Sequence, residues 1–324
     1  MKRQSTDPRP FCANTDDGTA FKTADAASYD SVTASFDKFT RRFNAPLAER
    51  LLDLCEPLRD KKILDLGTGT GVVALAAGRR SAPKGRVIGL DLSAGMLRLA
   101  EENARAYGLD AAVSFIQGDA EQLDLPDESF DAVVGLFSLF HFPDRPAVLR
   151  EVVRVLRRGG IACFGVGSAP PPTSLLGWVS RLQRLPELLI SRRGRWLNAP
   201  NALDQLVAEI IPPSSEAEVA AETARPHGYG PETVSLLRAA GLRSIKTTWM
   251  GLRERLENAE EFWEVQATYS TFARKRLATA TFEQRQQVRR LHDEKVRAVL
   301  ARGGVLSYPH AAFFAAGRKP EIPA

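Results

Sequence analysis

Three glycines, Gly67, Gly69 and Gly71, stand in the run Leu64-Asp65-Leu66-Gly67-Thr68-Gly69-Thr70-Gly71, between a short apolar segment and an Ala/Leu-rich one. A glycine backbone can approach a ligand closely, and a helix that starts there offers unpaired N–H groups. Taken alone, such a loop serves a dinucleotide or is merely a tight turn. Asp91 stands twenty residues beyond Gly71, at the end of the next apolar run. A carboxylate so placed can accept both hydroxyls of a ribose, in a nicotinamide dinucleotide or in S-adenosylmethionine. Its bland alternative is to cap the following helix, but Ser93 already suits that role. Asp119, in Gly118-Asp119-Ala120, can accept from an adenine amine while the Ala120 N–H donates to a ring nitrogen. Met96, one turn past Asp91, can pack on an adenine face or belong to the core.

The elements that must hold these residues follow a regular rhythm. Apolar runs at 62–66, 86–91, 112–117, 130–136 and 161–166 alternate with helical stretches at 72–80, 93–107 and 145–156. Short strands alternating with helices imply a parallel sheet wrapped on both faces. Strands apolar almost throughout belong in such a buried sheet. After 167 the rhythm breaks. An Ala-Pro-Pro-Pro run leads to an amphipathic stretch at 174–195, then a helix at 231–240 and a strand at 244–250. A charged helical stretch covers 258–302, and an apolar run at 311–317 reads as a last strand.

Length and composition bound this reading. The 324 residues are 44% hydrophobic and 26% charged, with net charge +5, which excludes wholesale disorder and leaves two domains or one elaborated domain. Arg outnumbers Lys by 34 to 10, a bias that suits phosphate binding but also follows base composition. The apolar runs are too short for a transmembrane segment. Three scattered cysteines support neither a disulfide framework nor a metal site, and fit a reducing, cytoplasmic setting. Residues 1 to about 20 lack a signal-peptide apolar region and are expected to be disordered.

Together the segments ILDLGTGTG (63–71), VIGLDLS (87–93), FIQGDAEQL (115–123), FDAVVGLFSLFHFPD (130–144) and EVVRVLRRGG (151–160) resemble the class I S-adenosylmethionine-dependent methyltransferases. Within them the sequence is most similar to the UbiE-like small-molecule group, over roughly half the chain. The resemblance implies an α/β, doubly wound, Rossmann-like sheet of seven strands, the last antiparallel. It implies that Asp65 and the loop of Gly67, Thr68, Gly69 and Gly71 hold the methionine end of S-adenosyl-L-methionine. It puts Asp91, with Leu92 beside it, on the ribose, and Asp119, Ala120 and Met96 on the adenine. Phe137 or Ser138 would offer backbone to the cofactor's amino group, and Tyr29 matches a tyrosine that closes over it. The expected layout is a tail and cap helix at 1–45 and a core at 46–167. Helical cap insertions follow at 168–228 and 253–307, around a core helix and strand at 229–252, with the last strand at 308–324.

Methyl transfer from a sulfonium needs alignment, exclusion of water and, for a hydroxyl or acidic carbon, a base. His141, just past the fourth strand, is the best-placed candidate; His227 and His310 rank behind it. His292 is expected to be solvated, mid-helix among charges. Phe36, Phe39, Trp178, Trp196, Phe262, Trp263, Tyr269 and Phe272 are expected in a cap over a closed apolar pocket, each with the alternative of being cap core. The expected partner is a mid-sized hydrophobic or aromatic methyl acceptor, in quinone or secondary-metabolite biosynthesis, with acceptor O, N or C open. Oligomers are compatible with all of this. Nucleic acid is not expected, because Ser138-Leu139-Phe140-His141 stands where base-amino methylation usually needs Asn/Asp-Pro-Pro-aromatic. An RNA-modifying relative using the Arg-rich stretch 181–196 is one alternative. A nicotinamide-dependent oxidoreductase is the other, disfavoured by GxGxG in place of GxGxxG.

Overall fold

Alternating apolar strands and helices force crossover connections, and crossovers make a sheet parallel. The computed structural model describes residues 15–168, 196–198, 201–213 and 229–321. Its strands are β1 (Lys62–Leu66), β2 (Arg86–Asp91), β3 (Val113–Gln117), β4 (Phe130–Leu136), β5 (Leu156–Gly167), β6 (Trp196–Asn198), β7 (Arg243–Leu256) and β8 (Val305–Arg318). The first five are parallel; β8 runs antiparallel to β5, and β7 antiparallel to β8. The order is β3-β2-β1-β4-β5-β8-β7, with the expected seven strands and the expected antiparallel last strand, β8. The three-residue β6, parallel to the start of β8, is an addition from the first insertion that was not expected.

The helices are α1 (Thr15–Asp30), α2 (Thr33–Phe39), α3 (Ala45–Asp53), α4 (Val72–Ser81), α5 (Ala94–Ala106), α6 (Arg145–Val155), α7 (Asn201–Ile210), α8 (Tyr229–Ala239), α9 (Ala259–Tyr269), α10 (Thr271–Thr279) and α11 (Phe282–Ala301). Strand side chains alternate between faces. Ile63, Val87 and Cys163 pack with Leu47, Leu51 and Val73 of α3 and α4; Leu64, Val133 and Phe164 pack with Val148, Val152 and Leu237 of α6 and α8. Each fully buried aliphatic side chain contributes about 1.5–3 kcal/mol. The cap has its own two clusters, one around Phe39, Phe43, Phe262 and Val296, the other around Leu203, Leu206, Ala273 and Val288.

Several boundaries differ from the sequence reading. Gly159 and Gly160, expected as a turn, lie inside β5 as a bulge: the register to β4 shifts between Phe130↔Leu156 and Ala132↔Ile161, with Gly159 at φ 73°. β7 and β8 overrun the expected 244–250 and 311–317, because they pair with each other from Gly251↔Ala311 out to Leu256↔Leu306. The exposed charges of that arm, Arg253 and Arg255 among them, hid its strand character. The helical stretch 258–302 is three helices, each restarted by a side-chain N-cap: Asn258, Ser270 and Thr281. His292 is not solvated but 1% exposed, since Val288, His292 and Val296 form one helix face that packs inward. The single N-terminal cap helix is α1, α2, a π turn (Thr40–Asn44) and α3, and residues 15–20 of the expected tail are helical. Residues 1–14, the stretch 174–195 with Trp178, and His227 lie outside the described residues. Cys55 and Cys163 are buried and free. Among the described residues no helix is long and apolar enough to cross a membrane.

Candidate active site

The loops after β1, β2 and β4 converge on a cavity of about 430 Å³ at the carboxyl edge of the sheet. Switch-edge cavities of roughly 300–1,000 Å³ are the usual ligand sites of such sheets. Gly67, Gly69 and Gly71 take φ of 65°, 54° and 88°. Gly67 needs glycine twice over, because any Cβ would also overlap the Ser138 side chain. Phe137, at the end of β4, holds φ 61°, an uncommon conformation for a bulky residue, and its N–H donates to Gly165 at 2.7 Å.

Asp65, at the end of β1, is 1% exposed. Its Oδ2 accepts from the Thr68 hydroxyl at 2.7 Å, whereas Oδ1 is buried without a hydrogen-bond partner. Burial pushes the Asp65 carboxyl up to about 7; the Thr68 hydroxyl opposes the shift and the charge of Asp91 adds to it. Ser138 Oγ is another buried atom with no partner. Asp91 accepts from the Gly69 N–H at 2.8 Å and the Ser93 N–H at 2.9 Å, and burial raises its pKa. Ser93 caps α5 through the Met96 N–H at 3.0 Å, as read from the sequence.

Of the sequence-derived residues, Tyr29, Asp65, Gly67, Thr68, Gly69, Asp91, Leu92, Met96, Ala120, Phe137 and His141 all line the cavity. Gly71 and Asp119 do not. Gly71 is the N-cap of α4, turned toward Phe115 and Ala100. Asp119 is half-buried against Lys22 of α1, whose ammonium reaches it at 2.7 Å and also pairs with Glu121. Lys22 was not foreseen.

His141 ends a short 3-10 turn, Leu139–His141. Its Nδ1 lies 3.2 Å from Asp25 Oδ2, and its Nε2 lies 3.5 Å from the Tyr29 hydroxyl. Burial pushes the Asp25 carboxyl up, but His141 and Lys275 together outweigh it and hold it below the usual range. Asp25 and Tyr29 are one turn apart on α1, so a single helix face carries both partners of His141. That i, i+4 pair was the available signal for Asp25, which the sequence reading missed. Tyr29 is itself held by the Arg274 guanidinium, 4.5 Å from its ring centre.

Phe36 and Tyr269 join the cavity wall, whereas Phe39 and Phe262 are cap core, as are Trp263 and Phe272. Trp196 lies in β6. His310 lines the cavity, but its Nε2 donates to the Phe43 carbonyl at 2.9 Å, and burial lowers its pKa. A neutral imidazole committed to backbone is a poor base. His292 sits far from this wall, between Phe262 and Trp263.

Residues 63–160 match the methyltransferase domain family Methyltransf_25. Over 232 residues the chain is 31% identical to the nocamycin O-methyltransferase of Saccharothrix syringae, covering 72% of this chain and 77% of that protein. This chain is a class I S-adenosylmethionine-dependent methyltransferase. The methyltransferase is also 30% identical to aklanonic acid methyltransferase DauC of a Streptomyces species, over 55% of its own length and 87% of the relative's. With the demethylmenaquinone methyltransferase of Thermus thermophilus the identity is 37%, over 48% and 70%. S-adenosylmethionine is therefore the cofactor, and the nicotinamide reading of the glycine loop falls away.

Proposed function

We propose that this methyltransferase alkylates a hydroxyl of a mid-sized, largely apolar small molecule, with His141 as general base. The observation that carries the proposal is the Asp25–His141 pair at the cavity wall. An ionised Asp25 accepts from Nδ1–H and so puts the lone pair on Nε2, beside the Tyr29 hydroxyl at the cavity wall, where an acceptor hydroxyl would replace that contact. An amine acceptor would not need that arrangement. That one relative is named an O-methyltransferase is in keeping with it.

The cavity fits the cofactor. When bound, S-adenosylmethionine supplies a methyl group already activated on a sulfonium. Asp65 Oδ1, buried and unpartnered, suits the ammonium of the methionine end, beside the loop of Gly67, Thr68 and Gly69. Asp91 retains lone pairs for ribose hydroxyls, and Leu92 and Met96 present apolar surface. Ala120 can donate its N–H to the adenine, with Asp119 shared between the adenine amine and Lys22. The Phe137 carbonyl and Ser138 hydroxyl remain for the amino group, and Tyr29 covers the site beside His141. Gly71 acts through the turn alone. The carboxylates Asp25, Asp65 and Asp91 around the cavity disfavour a polyanionic acceptor. We accordingly place the reaction on a free small molecule rather than RNA, and the free, buried Cys55 and Cys163 are in keeping with a cytoplasmic setting.

The test uses methyl-tritiated S-adenosylmethionine with 1-naphthol and 1-naphthylamine as paired probes. Label is expected in the naphthyl methyl ether. Label in the amine, or on ring carbon only, contradicts the reading.

A further inference from the structure

One wall of the cavity is explained neither by the cofactor nor by the base. It is built by the π turn Thr40–Asn44, the end of α9 and the start of β8. A π turn carries an extra residue per turn and recurs where a side chain must be re-aimed. In this one, Phe43 is fully buried in the cap core while Thr40 and Asn44 line the cavity.

The Thr40 hydroxyl and the Phe43 carbonyl, beside Asn44 in the turn, are accounted for. Thr40 meets the Tyr269 hydroxyl at 3.3 Å, and His310 holds the Phe43 carbonyl. Asn44 is only 7% exposed, yet its carboxamide has no hydrogen-bond partner among the described residues. The hydroxyl of Tyr308 likewise has none, and burial alone raises its pKa. The amide is not among the fully buried polar atoms, so on the cavity wall it keeps open surface that a ligand atom can meet. A carboxamide both donates and accepts, and so can hold a carbonyl or a hydroxyl oxygen. The rings of Phe36, Tyr269 and Tyr308 form the surrounding wall, which suits a flat aromatic partner.

We propose that Asn44, assisted by the Tyr308 hydroxyl, is the specificity residue for the methyl acceptor. It anchors a second oxygen on an aromatic ring whose reacting hydroxyl faces His141. The acceptor class is thus an aromatic ring carrying at least two oxygens, such as a hydroxyquinone or polyphenol. The His141 end of this placement rests on the function proposed above; the Asn44 end does not.

The test measures binding, without turnover, to protein saturated with S-adenosylhomocysteine. The probes are 2-hydroxy-1,4-naphthoquinone and 2-naphthol, titrated by calorimetry. Wild type is expected to prefer the quinone by roughly tenfold or more, the size of one well-made buried hydrogen bond. Asn44→Leu is expected to remove the preference while S-adenosylhomocysteine binds as before. Asn44→Gln, which keeps the carboxamide, provides a second variant should leucine impair folding, and is expected to retain part of the preference. Equal binding of both probes to wild type, no binding of the quinone, or an undiminished preference in Asn44→Leu overturns the proposal. Failure of the base assignment would show differently: His141→Ala would turn over normally while the binding preference stood.

Discussion

Replacing His141 with alanine is expected to lower kcat for a phenolic acceptor by about 10²–10⁴-fold, the usual contribution of a positioned general base. S-adenosylhomocysteine affinity should hold, because the imidazole is assigned no cofactor contact of its own and is held by Asp25 and Tyr29. Asp25→Asn should lose much of the same factor. The amide cannot enforce the Nδ1–H tautomer, and it also gives up the Lys275 pair at 3.3 Å. Residues acting as one unit are not additive, so the double variant should be little worse than His141→Ala alone. Single-turnover rates with saturating cofactor separate this from a binding defect. A His141→Ala enzyme within about threefold of wild-type kcat would remove the histidine from the list of general bases, whose loss costs far more.

The second large effect is a pH dependence of cofactor binding that resides in Asp65. Its carboxyl titrates near 7 in the folded chain against an ordinary value of 3.8. The folded-state pKa is therefore raised. This contribution to stability is fully present below about pH 4 and is lost as pH rises through 7. At about 1.4 kcal/mol per pKa unit, the burden of ionised Asp65 on the ligand-free protein is on the order of 4 kcal/mol. An ammonium group bound at Oδ1 relieves that burden, so S-adenosylhomocysteine should raise Tm more at pH 8 than at pH 5.5. Affinity should fall by about tenfold per pH unit below 7, because binding requires the carboxylate. In Asp65→Asn the pH slope should vanish, with weaker binding at pH 8 and a more stable ligand-free protein. A variant that kept the wild-type slope would assign the titration to another group.

The cofactor half of the site was legible because its signals are local. A strand, a glycine loop and a helix start adjoin in sequence, so Asp65, Gly67, Thr68 and Gly69 announce their own geometry. Asp91 and Ala120 follow from the same rule at the next two strand ends. The ion pair of Asp119 was not legible because its partner comes from elsewhere: Lys22 is 97 residues away, on a helix hidden in an apparent tail. Asp25 reaches His141 across 116 residues, which no local pattern encodes. The cap aromatics were ambiguous for a related reason. Phe36 and Phe39 lie one turn apart, yet one faces the cavity and the other the cap core. Asn44 was missed because a π turn has no sequence signature, and without it the residue reads as one more polar position before Pro46. His292 shows the converse, a polar residue buried because its neighbours at i±4 are valines.

One cavity at the strand ends is held to take both the cofactor and the base, His141. Calorimetric titration of S-adenosylhomocysteine into wild type, Asp91→Ala and His141→Ala at pH 8 tests it most directly. Micromolar binding is expected for wild type and His141→Ala. Asp91→Ala should be weaker by about 10- to 100-fold, the cost of losing charged hydrogen bonds to the ribose. No heat with wild type, or equal affinities for wild type and Asp91→Ala, would contradict the account.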